Sequence, residues 1–170
     1  MKKILIIGGN GSGKTTFAVK LCRKTELPLF HLDKILRTDN WQRVSNHTAE
    51  KRLSEILKKD SWIIDGNDNK NLEKRLALCD TVFFFDFSTL SCFIGVIKRT
   101  IRNYGKSRDD VGGNNIEKFD KSKISFLKSV IMFNKKNRKT YYSLIEQFSN
   151  VDFIVFKSRK QAEQYLENNF

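Results

Sequence analysis

The chain is expected to be an α/β protein built on a parallel sheet. Five short apolar runs alternate with segments of helical spacing, and the first run opens directly into a glycine-rich loop that leads into a helix. The runs are Lys3 to Ile7, Leu29 to Leu32, Trp62 to Ile64, Val82 to Phe85 and Val151 to Phe156. Each is strand-length and apolar throughout, the pattern of strands covered on both faces. The helical candidates are Lys14 to Arg23, then Thr48 to Lys59, with Leu53, Ile56 and Leu57 on one face, and a short one near Leu72 to Leu78. Thr89 to Arg102 and Ile124 to Phe148 follow, the latter interrupted at Lys135 to Lys139, and Ser158 to Leu166 closes the chain. This alternation implies right-handed crossovers, helices on both faces and a ligand site at the carboxyl ends of the strands. Asn103 to Phe119 keeps no period and is punctuated by Gly105, Gly112 and Gly113, so residues 103–120 read as a mobile lid.

At 170 residues, with 39% apolar and 12% aromatic content, the chain is the size of one domain spanning residues 1–170 that can fill a core without disulfides. The first apolar run is too short for a signal peptide or a membrane span, and no later run approaches membrane-spanning length, so a cytosolic protein is expected. Cys22, Cys79 and Cys92 lie far apart without a CxxC pattern and read as reduced packing residues. His31 and His47 stand alone and read as structural or solvated. The formal charge of +13 is uneven: Gly95 to Thr140 holds 13 Lys and Arg against 4 Asp and Glu. A segment of that balance is expected to meet phosphate, nucleic acid included, although single lysines are often only solvated surface.

The strongest local signal is Gly8-Gly9-Asn10-Gly11-Ser12-Gly13-Lys14-Thr15-Thr16, which fits G-x-x-x-x-G-K-[ST] between a strand and a helix. Such a loop points several backbone N–H groups into one concavity, and the following helix adds the positive end of its dipole, so polyphosphate fits. Gly8, Gly11 and Gly13 permit turns and close approach that a Cβ would block. Lys14 can reach β and γ phosphates, and the Thr15 hydroxyl can ligate Mg2+. Asp33, in HLDK after the second strand, and Asp65, in WIIDGN after the third, should project beside the loop and share a Mg2+ site. Asp65 is assigned to the outer sphere of the metal; Asp33 to the acceptor side, as part of the Mg2+ shell or as general base. The competing reading for both is a helix cap, the role also expected of Asp86. Arg99, Arg102, Arg108 and Arg138 are candidates to neutralise charge on a transferring phosphoryl group, the alternative being solvated charges. Trp41 and Asn40 could line an acceptor pocket, with core packing an equal reading for Trp41, and Arg159 could flank an adenine ring.

In this order, GSGKTT after Lys2-Lys3-Ile4, LPLFHLDK, SWIIDGN, RLALCDTVFFFD, Gly105 to Asp109 and FIVFKSRKQAEQYL, the chain resembles the nucleoside and shikimate kinase-like P-loop group. More narrowly it is similar to bacterial proteins called DNA topology modulation or FlaR-related proteins. The resemblance runs nearly end to end. It implies an adenylate-kinase-like fold with strand order 2-3-1-4-5, ATP with Mg2+, and arginines in a lid. Asn10 stands where the group often has a small residue or Pro, Asp110 replaces a Pro near the lid, and Asn67-Asp68 follows the Asp-Gly where adenylate kinases place Pro-Arg. Two functions follow as expectations. One is an ATP-dependent kinase acting on an unidentified small acceptor, as a monomer or dimer. The other is a nucleic-acid-associated ATP-binding regulator of DNA topology that uses the basic 95–140 segment.

Overall fold

The structure is a computed structural model that describes residues 1–107, 110–111 and 115–170, the side chain of Asn40 excepted. Five strands form one parallel sheet in the order β2-β3-β1-β4-β5, with β1 Lys3–Gly8, β2 Leu29–His31, β3 Trp62–Asp65, β4 Thr81–Phe85 and β5 Asp152–Phe156. The helices are α1 Lys14–Thr25, α2 Leu32–Leu36, α3 Asn46–Leu57, α4 Leu72–Leu76, α5 Thr89–Arg102, α6 Lys121–Glu146 and α7 Arg159–Asn169. Short 3-10 turns cover Asp39–Trp41 and Asn69–Asn71. The expected class and strand order are both present.

The pleat divides each apolar run between two cores. Leu5, Ile7, Trp62, Ile64, Val82 and Phe84 face α3, α4 and the end of α6, where Tyr141 and Ile145 are buried. Ile4, Ile6, Ile63, Phe83 and Phe85 face α1, α5 and α7. Phe17 of α1 sits edge-on to Phe83 at 5.0 Å and to Phe85 at 5.3 Å, so much of the second core is aromatic. Covering both faces is what lets these strands be apolar throughout.

The parallel register puts the loops at one end of the sheet together. His31 pairs with Asp65 and Ile6 pairs with Asp65, so the ends of β2 and β3 flank the end of β1, where the glycine loop begins. Gly8 in turn pairs with Phe85 of β4. The switch in strand order between β1 and β3 opens the crevice there.

Three elements differ from the sequence expectation. The second strand stops at His31, and Leu32 begins α2, a helix too short to show a period. Helix α6 runs unbroken through Lys135 to Lys139. Lys and Arg are good helix formers, so a basic run with no Gly or Pro continues a helix rather than interrupting it. Residues 103–120 are not without core contacts: Val111, Asn115 and Glu117 are buried, and Tyr104 with Glu117 and Ser107 with Ile116 form isolated bridges.

Candidate functional site

At Gly8 and Gly11 the glycine loop is held by contacts that leave no room for a side chain. Gly8, at φ +134°, would place a Cβ 2.4 Å from the Phe85 carbonyl oxygen. Gly11, at φ +84°, would place one 2.3 Å from the Cys92 carbonyl oxygen, and Gly95 of α5 would place one 2.1 Å from the carbonyl oxygen of Gly11. Helix α5 therefore packs backbone against backbone on the loop. Ser12 is fully buried and donates from Oγ to the Gly9 carbonyl at 2.7 Å. Asn67 grips Gly8 on both sides, its Nδ2 donating to the carbonyl at 2.6 Å and its Oδ1 accepting from the N–H at 3.1 Å.

Helix α1 starts at Lys14 after the left-handed Gly13, and its first-turn N–H groups have no intrahelical acceptor. The Lys14 ammonium donates to the Gly8 and Gly9 carbonyls at 2.9 and 2.8 Å, which leaves one of its three N–H donors for a ligand. Burial pushes its pKa below the ordinary lysine value, and the nearby Arg99 charge acts the same way, while Asp65 opposes both. An arriving anion would stabilise the ammonium directly.

Asp65 is the hub beside the loop. Its Oδ2 accepts the Thr15 hydroxyl at 2.7 Å and lies 3.1 Å from Nδ1 of His31. Neither Asp65 nor Asp33 caps a helix. Asp33 lies in the first turn of α2, half exposed, where it meets Nε of Arg37 one turn on at 3.3 Å. The Thr15 hydroxyl and Asp65 carboxylate are adjacent hard oxygen donors, a set that fits Mg2+ drawing its other ligands from phosphate and water. Among the described residues no three His, Cys, Asp or Glu side chains form a ready-made metal cage.

One cavity of about 1550 Å³ joins these groups. Asn10, Gly11, Gly13, Lys14, Thr15 and Thr16 form its loop side, whereas Gly8, Gly9 and Ser12 are buried and do not line it. His31, Asp33, Arg37 and Trp41 form the far side, with Asp65 and Asn67 between. Ile94, Gly95, Lys98, Arg99 and Arg102 recur at helical spacing along the face of α5 that closes it. Arg159 enters from α7, donating from Nη2 to the Gly11 carbonyl at 2.7 Å with its guanidinium carbon 5.6 Å from the Phe87 ring centre.

Arg138 does not join this set. Its Nη2 donates to Oδ2 of Asp86 at 2.7 Å, and the same carboxylate takes Lys157 and, at 2.9 Å, the Tyr142 hydroxyl. Burial alone would raise the Asp86 carboxyl, but those hydrogen bonds and charges hold it below the usual range. Asp86 is also not a cap, since Ser88 caps α5 by accepting from the Ser91 N–H at 3.3 Å. Arg108 lies outside the described residues.

Three residues of this region lie in the stretches quoted above, which announce no role for them. His31 reaches Asp65 because the two are register partners, a signal readable only once the strand order is known. Asn67 ends the SWIIDGN stretch and marks a departure from adenylate kinases, but neither announces its contact with Gly8. Arg75 is fully buried and donates to the carbonyls of Gly66, Asn71 and Asp68 at 3.3, 3.3 and 2.6 Å, fixing the turn that presents Asn67. Burial lowers its pKa to about 10, with Asp68 pulling the other way. Asp68 is held below the usual carboxylate range: burial would raise it, but hydrogen bonds from Asn71 and Arg43 outweigh that.

No protein-family model and no curated protein sequence matches the chain. In fold it is similar to the crystal structure of shikimate kinase from Bacteroides thetaiotaomicron, with a TM-score of 0.60 and 16% identity over 97% of this chain and 94% of that one. The likeness is one of fold and has no bearing on the narrower DNA-topology group. The chain has the five-stranded parallel fold of the P-loop kinases.

Proposed function

We propose that the protein is an ATP-dependent phosphotransferase that passes the γ phosphate to a small acceptor held between Asp33 and Trp41. The observation that carries this reading is the single cavity in which Lys14, the Thr15–Asp65 pair and Asp33 all meet. The loop N–H groups and Lys14 bind the β and γ phosphates, and Arg99 and Arg102 stand where charge spreads over the transferring group. Mg2+, if held by Thr15 and Asp65, would supply charge neutralisation for the phosphates there. His31 fixes the orientation of the Asp65 carboxylate. Asp33, half exposed and on the far side, accepts the proton of the attacking hydroxyl, and Arg159 borders the nucleotide end. A screen of nucleosides, nucleotides, sugars, small acids and oligonucleotide ends for ATP-dependent mass gain identifies the acceptor. Lys14→Ala should bind and fold but lose turnover by about three orders of magnitude; a folded Lys14→Ala protein with undiminished turnover removes the loop from the reaction.

A second reading, a nucleic-acid-associated ATP-binding regulator, draws on one observation. Helix α6 has no acidic residue from Lys121 to Ile145, and Lys128, Lys135, Lys136 and Lys139 on it are exposed. Binding through such a face falls steeply with salt. Duplex DNA retention that is absent at low salt, or indifferent to salt, rejects this reading.

A further inference from the structure

The wall opposite the phosphate loop is made by two segments distant in sequence and joined by hydrogen bonds. Asn115 is fully buried. Its Oδ1 accepts the backbone N–H of Trp41, and its Nδ2 donates to the Thr38 carbonyl at 3.0 Å. Trp41 reciprocates, its indole Nε1 donating to the Ile116 carbonyl at 3.3 Å. The segment that receives this clamp is a tight loop, closed by Thr38 N–H to the Gln42 carbonyl at 2.8 Å and Val44 N–H to the Leu36 carbonyl at 3.0 Å. Trp41 sits in it at φ +61°, in the left-handed region that a residue with a large side chain adopts only when its surroundings hold it there. The Asn115 amide does so, because it offers an acceptor and a donor side by side to backbone groups that the loop leaves facing outward.

The same segment reaches the phosphate side two residues later. Glu117 exchanges backbone hydrogen bonds with Gly105 and Lys106, and its buried carboxylate takes Lys123 and, at 3.4 Å, the Thr100 hydroxyl. Thr100 lies between Arg99 and Arg102 on α5. Thr100 thus ties the helix that carries Arg99 and Arg102 to Glu117, whose segment carries Asn115 and its hold on Trp41.

We infer that Asn115 is a positioning residue that makes the lid base and the acceptor-side loop one unit, so that filling the phosphate loop sets the acceptor wall at Trp41. The acceptor pocket is then complete only with nucleotide in place, so the acceptor binds the nucleotide complex more tightly than the free protein. The coupling rests on the nucleotide reading of the glycine loop; the clamp itself does not.

Two measurements on the full chain separate them. Without nucleotide, trypsin cutting after Arg37 and after Lys106 or Lys118 should rise together, roughly tenfold, in Asn115→Ala, since both segments lose their shared hydrogen bonds. An increase in only one segment, or in neither, overturns the clamp. With a non-hydrolysable MgATP analogue, wild-type indole emission should shift on saturation, and Trp41→Phe, which leaves only the buried Trp62, should lack the shift. Asn115→Ala should bind the analogue with unchanged affinity by calorimetry yet lose most of the shift. An undiminished shift in that variant overturns the coupling, whereas a wild-type protein that does not bind the analogue overturns the nucleotide reading and leaves the proteolysis to judge the clamp. If circular dichroism shows Asn115→Ala unfolded, Asn115→Ser, which keeps one short polar group, is read in the same way.

Discussion

The two sides of the cavity are built on different physical terms. On the phosphate side, Gly8, Gly11 and Gly95 bring backbones to within a distance that excludes any side chain, so position is fixed by close packing. On the acceptor side, Trp41, Thr38 and Asn115 are fixed by hydrogen bonds between segments 74 and 77 residues apart. A packed interior resists displacement because every shift meets a neighbour, while a hydrogen-bonded loop can exchange one set of partners for another. Under the proposed function, the first suits the polyphosphate of the nucleotide and the second suits the acceptor.

The sharpest way to break the contrast is below the phosphate side. Arg75→Ala strips three carbonyls of their donor and empties the space of a fully buried side chain. It should cost about 3–5 kcal/mol in denaturant unfolding; a loss under about 1 kcal/mol means the turn that carries Asn67 is held by something else. Gly95→Ala comes next. Its Cβ would lie 2.1 Å from the Gly11 carbonyl oxygen, so overpacking of up to about 3 kcal/mol should appear together with weakened MgATP binding. Normal affinity in that variant would show the loop to be as adaptable as the other side.

On the acceptor side, Asp33→Asn should leave stability and analogue affinity near wild type while transfer falls by about two orders of magnitude, the usual size of a lost general base. A rise in the Mg2+ requirement instead would move Asp33 from proton acceptor to metal shell. The smallest effect concerns acid. The carboxyls of Asp68 and Asp86 are held below their ordinary value in the fold, so their stabilisation is complete above the unfolded carboxylate pKa of about 4 and is lost as pH falls through the lower folded value. With Arg138 and Lys157 each about half exposed, screening keeps the Asp86 share near 1 kcal/mol. Urea midpoints for wild type and Asp86→Asn should converge below pH 4 and separate above it; a constant gap would assign the difference to packing.

What the sequence made legible follows the same division. The glycine loop, Lys14, Thr15 and Asp65 lie within short local patterns at strand ends, so periodicity and one motif place them. Helix α5 was bounded at Thr89 and Arg102, because its apolar spacing is unbroken. The rest depends on register or on long-range contacts. His31 needs β2 beside β3, Asn67 needs Gly8 59 residues away, and Asn115 needs Trp41. The place of Arg138 is hidden for the same reason: its charge is spent on Asp86, 52 residues earlier, which no local pattern announces. The charge of Lys135 to Lys139 suggests a break, but the helix propensity of Lys and Arg carries α6 through it. In the lid, polarity hid Asn115 and Glu117, buried through their hydrogen bonds rather than through hydrophobic spacing.

The close approach of Gly95 to Gly11 turns α5 into a ruler whose zero mark is the glycine loop. With a rise of about 1.5 Å per residue, Arg99 is set about 6 Å and Arg102 about 10.5 Å along the axis from that mark. Each adds a positive charge at a graduated distance, and each faces the cavity because its separation from Gly95 is close to a whole number of turns. One residue inserted between Gly95 and Arg99 would rotate every later side chain by about 100° and carry both guanidinium groups around the barrel of the helix. Composition, net charge and helix length would scarcely change; the graduation would be lost.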